Sequence, residues 1–214
     1  MNDATPMVFV VDDDDAVRRA LTRLIRSAGY CVESYGSASE FLKSRPCVQG
    51  AACLVLDVQL PDLNGLDLQR ELNAASELLP IIFITGHGDI AMTVCAMKAG
   101  ATDFLAKPVE EADLLRAIET ALRNSSQAIA SRTELGSIHS RLARLTPRER
   151  EVLTLLLEGR LNKQVACELG IAEKTIKVHR ARVMEKMEAH SLVELARVAD
   201  KAGIPLSPNQ SAAQ

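Results

Sequence analysis

Paired aspartates, a lone aspartate, a threonine and a lysine in the first half of this chain could together handle a phosphoryl group on a divalent cation. Asp57 closes the apolar run Cys53-Leu54-Val55-Leu56. Val8-Phe9-Val10-Val11 opens onto Asp12, Asp13, Asp14 and Asp15, Ile81-Ile82-Phe83-Ile84 onto Thr85-Gly86, and Phe104-Leu105-Ala106 onto Lys107-Pro108. A carboxylate can attack phosphorus and carry the group as an acyl phosphate. The incoming group brings negative charge towards carboxylates, so a hard cation is needed. Mg2+ takes oxygen ligands from one or two carboxylates, with water and phosphate oxygens completing the set. Asp13 and Asp57 are the expected direct ligands, Asp12 a ligand through water, and the backbone carbonyl of Gln59 a further one. Lys107 can neutralise a phosphoryl oxygen and Thr85 can hydrogen-bond one. Singly, each residue has a plainer reading as a turn former, N-cap, strand residue or solvated lysine. Their position at four successive strand ends favours the chemistry, because open α/β folds keep their sites at that edge.

Those residues need a scaffold, and the apolar pattern supplies one. Strands are expected at about 7–11, 31–35, 52–56, 81–85 and 102–106. Between the first two, Val17, Leu21, Leu24, Ile25 and Ala28 recur at helical spacing, with Asp14 or Asp15 as N-cap and Gly29 after the C-terminus. Further helices are expected at about 37–44, 65–75, 89–98 and 111–123. Near-continuous apolar strands alternating with helices predict a doubly wound parallel sheet covered on both faces, an α/β, flavodoxin-like (βα)5 domain. Asn124-Ser125-Ser126 reads as a break. Leu135, Ile138, Leu142 and Leu145 then follow at heptad-like intervals, giving a helical linker over 124–141, too short to read as a coiled coil.

The remainder is helical. Thr146-Pro147-Arg148-Glu149 is a capping box with proline at the first helical position. Asn162 is expected to cap a short helix closed by Gly170; a third helix covers about 173–187, and Ser191 caps a fourth. Short helix, glycine turn and longer basic helix make a helix-turn-helix within a small all-α four-helix domain. Ile176, Val183 and Met187 should face inward. Lys174, Lys177, Val178 and Ala181, flanked by Thr175 and Arg182, should face out. Lysine can reach guanine acceptors, and Val178 and Ala181 can touch thymine methyls. Asn162 and Lys163 suit phosphate contacts.

Composition agrees with two modules. Of 214 residues, net charge −3, residues 1–125 carry 11 Lys+Arg against 18 Asp+Glu, and the rest carry 14 against 10. An acidic front and a basic back fit a cation site joined to a polyanion-binding domain. The five cysteines show no metal-ligand spacing. Cys31, Cys53 and Cys95 are expected to be small core residues, and the odd count fits a reducing cytosol. No apolar run nears the roughly 18 residues of a membrane span, and the N-terminus lacks a signal peptide's basic and apolar regions. The expectation is a cytoplasmic protein without a membrane partner.

Residues 6–123 resemble the receiver domain of two-component response regulators. The matching stretches are Val11-Asp12-Asp13, Leu56-Asp57, Leu60-Pro61-Asp62-Leu63-Asn64-Gly65, Ile84-Thr85-Gly86-His87-Gly88-Asp89 and Ala99 to Pro108. Residues 142–207 resemble a LuxR-type helix-turn-helix, through Leu145 to Leu153, Asn162-Lys163-Gln164-Val165-Ala166 and Lys174 to Arg180. Together they resemble regulators of the NarL/FixJ type. The resemblance implies that a sensor histidine kinase phosphorylates Asp57, that Thr85 then turns inward and Phe104 follows, and that the Lys107-Pro108 bond is cis. It also implies a homodimer placing two recognition helices on promoter half-sites, and leaves room for RNA polymerase as a further partner. Val109 departs from the aromatic residue usual there, and Ala172 from the usual serine N-cap. Three alternatives stay open: a receiver acting as a phosphorylation-independent dimerisation module, a phosphatase using Asp57 as transient nucleophile, or a second half that binds only protein. Against the phosphatase stands Gln59, where haloacid-dehalogenase-like enzymes place an acid; the chain is therefore expected not to be an enzyme.

Overall fold

Three apolar runs and two more polar edge segments become five parallel strands in the computed structural model, which describes residues 5–44, 50–75, 79–86 and 90–204. They are β1 (Met7–Val11), β2 (Cys31–Tyr35), β3 (Ala52–Asp57), β4 (Ile81–Thr85) and β5 (Asp103–Ala106). The sheet order is β2-β1-β3-β4-β5, every pairing parallel. β3 and β4 are buried at every residue, as central strands covered on both faces must be, whereas edge strand β2 is buried only at Val32 and Tyr35. The two-residue strand period splits the sheet's side chains between two cores. Phe9, Val11, Leu54, Leu56 and Phe83 pack with Phe41, Leu68, Leu72 and Ala96. Val8, Val10, Val55, Ile82 and Ile84 pack with Leu21, Ile25, Leu114 and Ile118. The covering helices are α1 (Asp15–Ser27), α2 (Ala38–Ser44), α3 (Gly65–Ala74), α4 (Ile90–Lys98) and the start of α5 (Glu111–Ala143). This is the flavodoxin-like doubly wound architecture.

The chain divides into two compact units, Met1–Ala130 and Ser131–Gln214. The second contains α6 (Pro147–Leu157), α7 (Asn162–Leu169), α8 (Glu173–Met187) and α9 (Leu192–Lys201). Its core is built on Leu145, Val152, Leu156, Val165, Ile176, Val183, Met187 and Leu195. α6 starts at the expected capping box: Thr146 Oγ1 accepts from Glu149 N at 3.3 Å, and Glu149 Oε2 accepts from Thr146 N at 2.9 Å. Ser191 caps α9 by accepting from Glu194 N. Among the described residues no helix is long and apolar enough to cross a membrane.

The structure departs from the sequence reading in three places. No break occurs at Asn124-Ser125-Ser126, for α5 runs through it. The serine hydroxyls that should compete with the helix are otherwise engaged: Ser125 Oγ accepts from Ala52 N at 3.1 Å, and Ser126 Oγ donates to Leu122 O at 3.0 Å. Asn162 is the first residue of α7 rather than its cap; Leu161 holds the cap position, and Gln164 Oε1 accepts from its N–H at 2.8 Å. Only Cys53 is the core cysteine expected. Cys31 begins the edge strand and Cys95 lies on the outer side of α4, both exposed. Cys47, His87 and Asp89 lie outside the described residues.

Candidate functional site

Strand order reverses direction between β1 and β3, and the crevice at that switch point is where an open α/β sheet accepts ligands. The chain places its acidic residues there. Val11 pairs with Leu56, so Asp12 and Asp13, just beyond β1, lie beside Asp57 at the end of β3. Asp12 is fully buried, Asp57 is 6% exposed, and Asp13 faces solvent. One carboxylate oxygen from each lies within 4.8 Å of the other two. Three hard oxygen donors so close suit a small divalent cation, and the acidic cluster is compatible with Mg2+.

Lys107 enters from the end of β5. Its Nζ donates to Asp12 Oδ2 at 2.7 Å and to Asp57 Oδ2 at 2.6 Å. Asp57 Oδ1 accepts from Gln59 N at 3.0 Å, and Asp12 Oδ1 accepts from Asp14 N at 2.9 Å. The Lys107-Pro108 bond is cis. Burial pushes the Asp12 carboxyl above the ordinary carboxylate range, although Lys107 and the Asp14 N–H draw it down. Burial works against the Lys107 ammonium too, but the hydrogen bonds and charges of Asp12 and Asp57 outweigh it and its pKa is raised. The two shifts have different causes, burial for Asp12 and the paired carboxylates for Lys107, and a single lysine faces both carboxylates. The crevice can take further positive charge.

Thr85, at the end of β4, is fully buried, and its carbonyl accepts from Lys107 N at 2.7 Å. Phe104 on β5 is half-buried, its ring centroid 6.1 Å from that of Phe83. Gln59 is exposed. Two supports escaped the sequence reading. A Cβ on Gly65 would lie 2.6 Å from Asp57 O and 3.1 Å from Val58 Cα, so only glycine lets α3 begin against the Asp57 backbone. Its signal was a glycine at a helix's first residue. Arg18 Nη1 donates to Asp12 O at 2.8 Å and its guanidinium pairs with Asp15, holding the acidic loop. Nothing in the sequence pattern marks that reach.

In the second unit, α7 and α8 meet through the turn closed by Gly170, which is left-handed at φ 65°. Ile176, Val183 and Met187 are fully buried. Lys174, Thr175, Lys177, Val178, Ala181 and Arg182 are all exposed, as is Lys163 on α7. Asn162 is half-buried, and its Oδ1 accepts from Arg180 Nη1 at 3.2 Å, tying α7 to α8. Ala172, as expected, gives α8 no side-chain cap. A basic, partly apolar helix face standing clear of its own core can enter a DNA groove.

Comparison with known proteins is consistent with both geometries. Residues 8–119 match the response regulator receiver domain, and residues 143–199 match the bacterial regulatory proteins of the luxR family. The chain is 46% identical over 201 residues to response regulator protein TmoT of Ectopseudomonas mendocina, covering 94% of this chain and 91% of that one. It is 43% identical over 198 residues to transcriptional regulatory protein FixJ of Azorhizobium caulinodans, covering 92% and 93%. Among solved structures, response regulator StyR superposes with a TM-score of 0.84 at 49% identity, covering 92% of this chain and all of that one. An acidic crevice on a doubly wound sheet, followed by an exposed basic helix and matched over nearly full length by such relatives, places this chain in the response regulator family, as a phosphorylation-dependent, DNA-binding regulator of transcription.

Proposed function

We propose that Asp57 is the phosphoacceptor and that the observation carrying this role is the convergence of Lys107 with Asp12, Asp13 and Asp57. An Asp57 carboxylate oxygen attacks the phosphorus of a phosphohistidine on a sensor kinase. The P–O bond forms as the P–N bond breaks, and the imidazole leaves with the electron pair. Asp12, Asp13, Asp57 and the Gln59 carbonyl would hold Mg2+, which when bound offsets the charge gathered between phosphoryl and carboxylate oxygens. Lys107 gives up one carboxylate contact to neutralise a phosphoryl oxygen, and the Thr85 hydroxyl takes another. The switch runs from Thr85 to Phe104, shifting the population of the α4–β5 face.

That face carries Ile90, Val94 and Met97 exposed on α4, which supports a homodimer in the phosphorylated state. Two copies of α8 then reach two promoter half-sites. Lys174, Thr175, Lys177, Val178, Ala181 and Arg182 read or flank base edges, Asn162 and Lys163 position the phosphates, and RNA polymerase is the downstream partner. The receiver spans 6–123, the linker 124–141 and the DNA-binding domain 142–207, in a cytoplasmic protein that is not a turnover enzyme. Borohydride trapping after treatment with acetyl phosphate and Mg2+ tests the acceptor. Reduction should convert residue 57 alone; label at another carboxylate, or none, defeats the assignment.

A further inference from the structure

The recognition helix α8 ends unlike other helices of this chain. Gly29, Gly100, Gly159, Gly170 and Gly203 follow α1, α4, α6, α7 and α9 with φ between 65° and 92°. Glycine adopts that left-handed conformation without a Cβ clash. After α8 the residue is Glu188, at φ 53°, the one non-glycine with positive φ among the described residues. Its N–H donates to Glu185 O at 3.1 Å, and Ala189 N closes the turn onto Met184 O at 3.0 Å. A strained backbone persists where its surroundings over-determine it.

Here the surroundings come from the last turn of α5. Arg141 Nη2 lies 2.9 Å from Glu188 Oε2, while Arg141 Nη1 donates to Met187 O at 3.2 Å. The planar fork thus holds the left-handed residue's side chain and the carbonyl just before it. One residue earlier, Lys186 Nζ donates to Arg144 O at 3.1 Å and to Glu149 Oε2 at 2.6 Å. The end of α8 is therefore fastened to segment 141–149 at three successive residues, Lys186, Met187 and Glu188.

We propose that Arg141 is a positioning residue for DNA recognition, holding the exit of α8 in the left-handed turn that aims its exposed face. Glu188 stands where glycine would serve the backbone because the cap is closed by a partner on another helix. The proposal rests on α8 being the DNA-reading helix.

The test uses the full-length protein and a duplex enriched from a random-sequence pool by the wild type. Arg141→Ala should bind about tenfold more weakly. Arg141→Lys, which keeps the charge but loses the fork, should fall between. Arg141→Ala/Glu188→Gly should return to within about twofold of wild type, because glycine takes the turn unaided. The salt slope of binding should not change. Wild-type affinity for Arg141→Ala overturns the proposal, and so does a double variant as weak as the single. A slope smaller by about 1 overturns it too, since that marks a phosphate contact. Lys177→Ala, run alongside, separates the two failures. If it binds as wild type, α8 is not the reader; if it weakens binding while Arg141→Ala does not, only the positioning role fails.

Discussion

Two lysine–carboxylate pairs in this chain have the same separation and opposite fates. Lys107 Nζ lies 2.6 Å from Asp57 Oδ2, and Lys186 Nζ lies 2.6 Å from Glu149 Oε2. The first is an open account: Lys107 is shared with Asp12, whose carboxyl burial pushes upward, and Asp13 adds a third carboxylate. The second is closed. Lys186 and the Thr146 N–H satisfy Glu149, and together they hold its pKa down to about 2. Residual charge marks the place where a charged ligand can still be received, and a complete hydrogen-bond set marks structure. The charged cluster of the first unit is largely buried, whereas the basic face of α8 in the second is exposed.

Five perturbations would break or sharpen this contrast. The largest effect is expected at the open pair: Lys107→Ala should slow phosphorylation by acetyl phosphate by about a hundredfold, read by phosphate-affinity electrophoresis. If the rate stays within a few-fold, the lysine is only structural. At the closed pair, Glu149→Ala should cost about 2–3 kcal/mol in denaturant unfolding of the second unit, because Lys186 loses its partner and α6 its capping box. The same carboxylate sets an acid limit. Its folded pKa of about 2 lies below the ordinary 4.5, so its stabilisation is fully present above pH 4.5 and fades as pH falls towards 2. Wild type should lose stability across that window and Glu149→Gln much less; parallel curves would contradict the assignment.

Exposed Lys177 should matter to binding alone: Lys177→Ala is expected to weaken DNA binding by about 1–2 kcal/mol, with unfolding unchanged. A comparable loss of stability would place it in the fold instead. Smallest is Ser125→Ala, at about 1 kcal/mol, since it leaves the Ala52 N–H at the start of β3 without its acceptor. A neutral result would mean that α5 needs no anchor there.

Much of this contrast was legible in the sequence because the receiver is built from local patterns. Apolar runs ending in Asp12, Asp57, Thr85 and Lys107 announce both the strands and their edge. Thr146 and Ser191 announce helix starts through short-range bonds. What stayed hidden depends on distant partners. Ser125 looked like a break because its bond to Ala52 crosses 73 residues of chain. Cys31 and Cys95 kept apolar company in sequence but face outward, since an edge strand and a surface helix bury only part of their residues. Glu149 was readable as half of a capping box, while its pairing with Lys186, 37 residues on, was not. Gly65 stood in a recognisable motif, yet only coordinates show that a Cβ there would strike the Asp57 backbone.

The central claim is that charge received at Asp57 governs what the α8 face does. The most direct measurement is the affinity of the full-length protein for its enriched duplex, with and without acetyl phosphate and Mg2+, for the wild type and Asp57→Asn. Tighter binding on phosphorylation in the wild type, absent in Asp57→Asn, is the predicted result. Equal stimulation in both proteins, or none in the wild type, would contradict it.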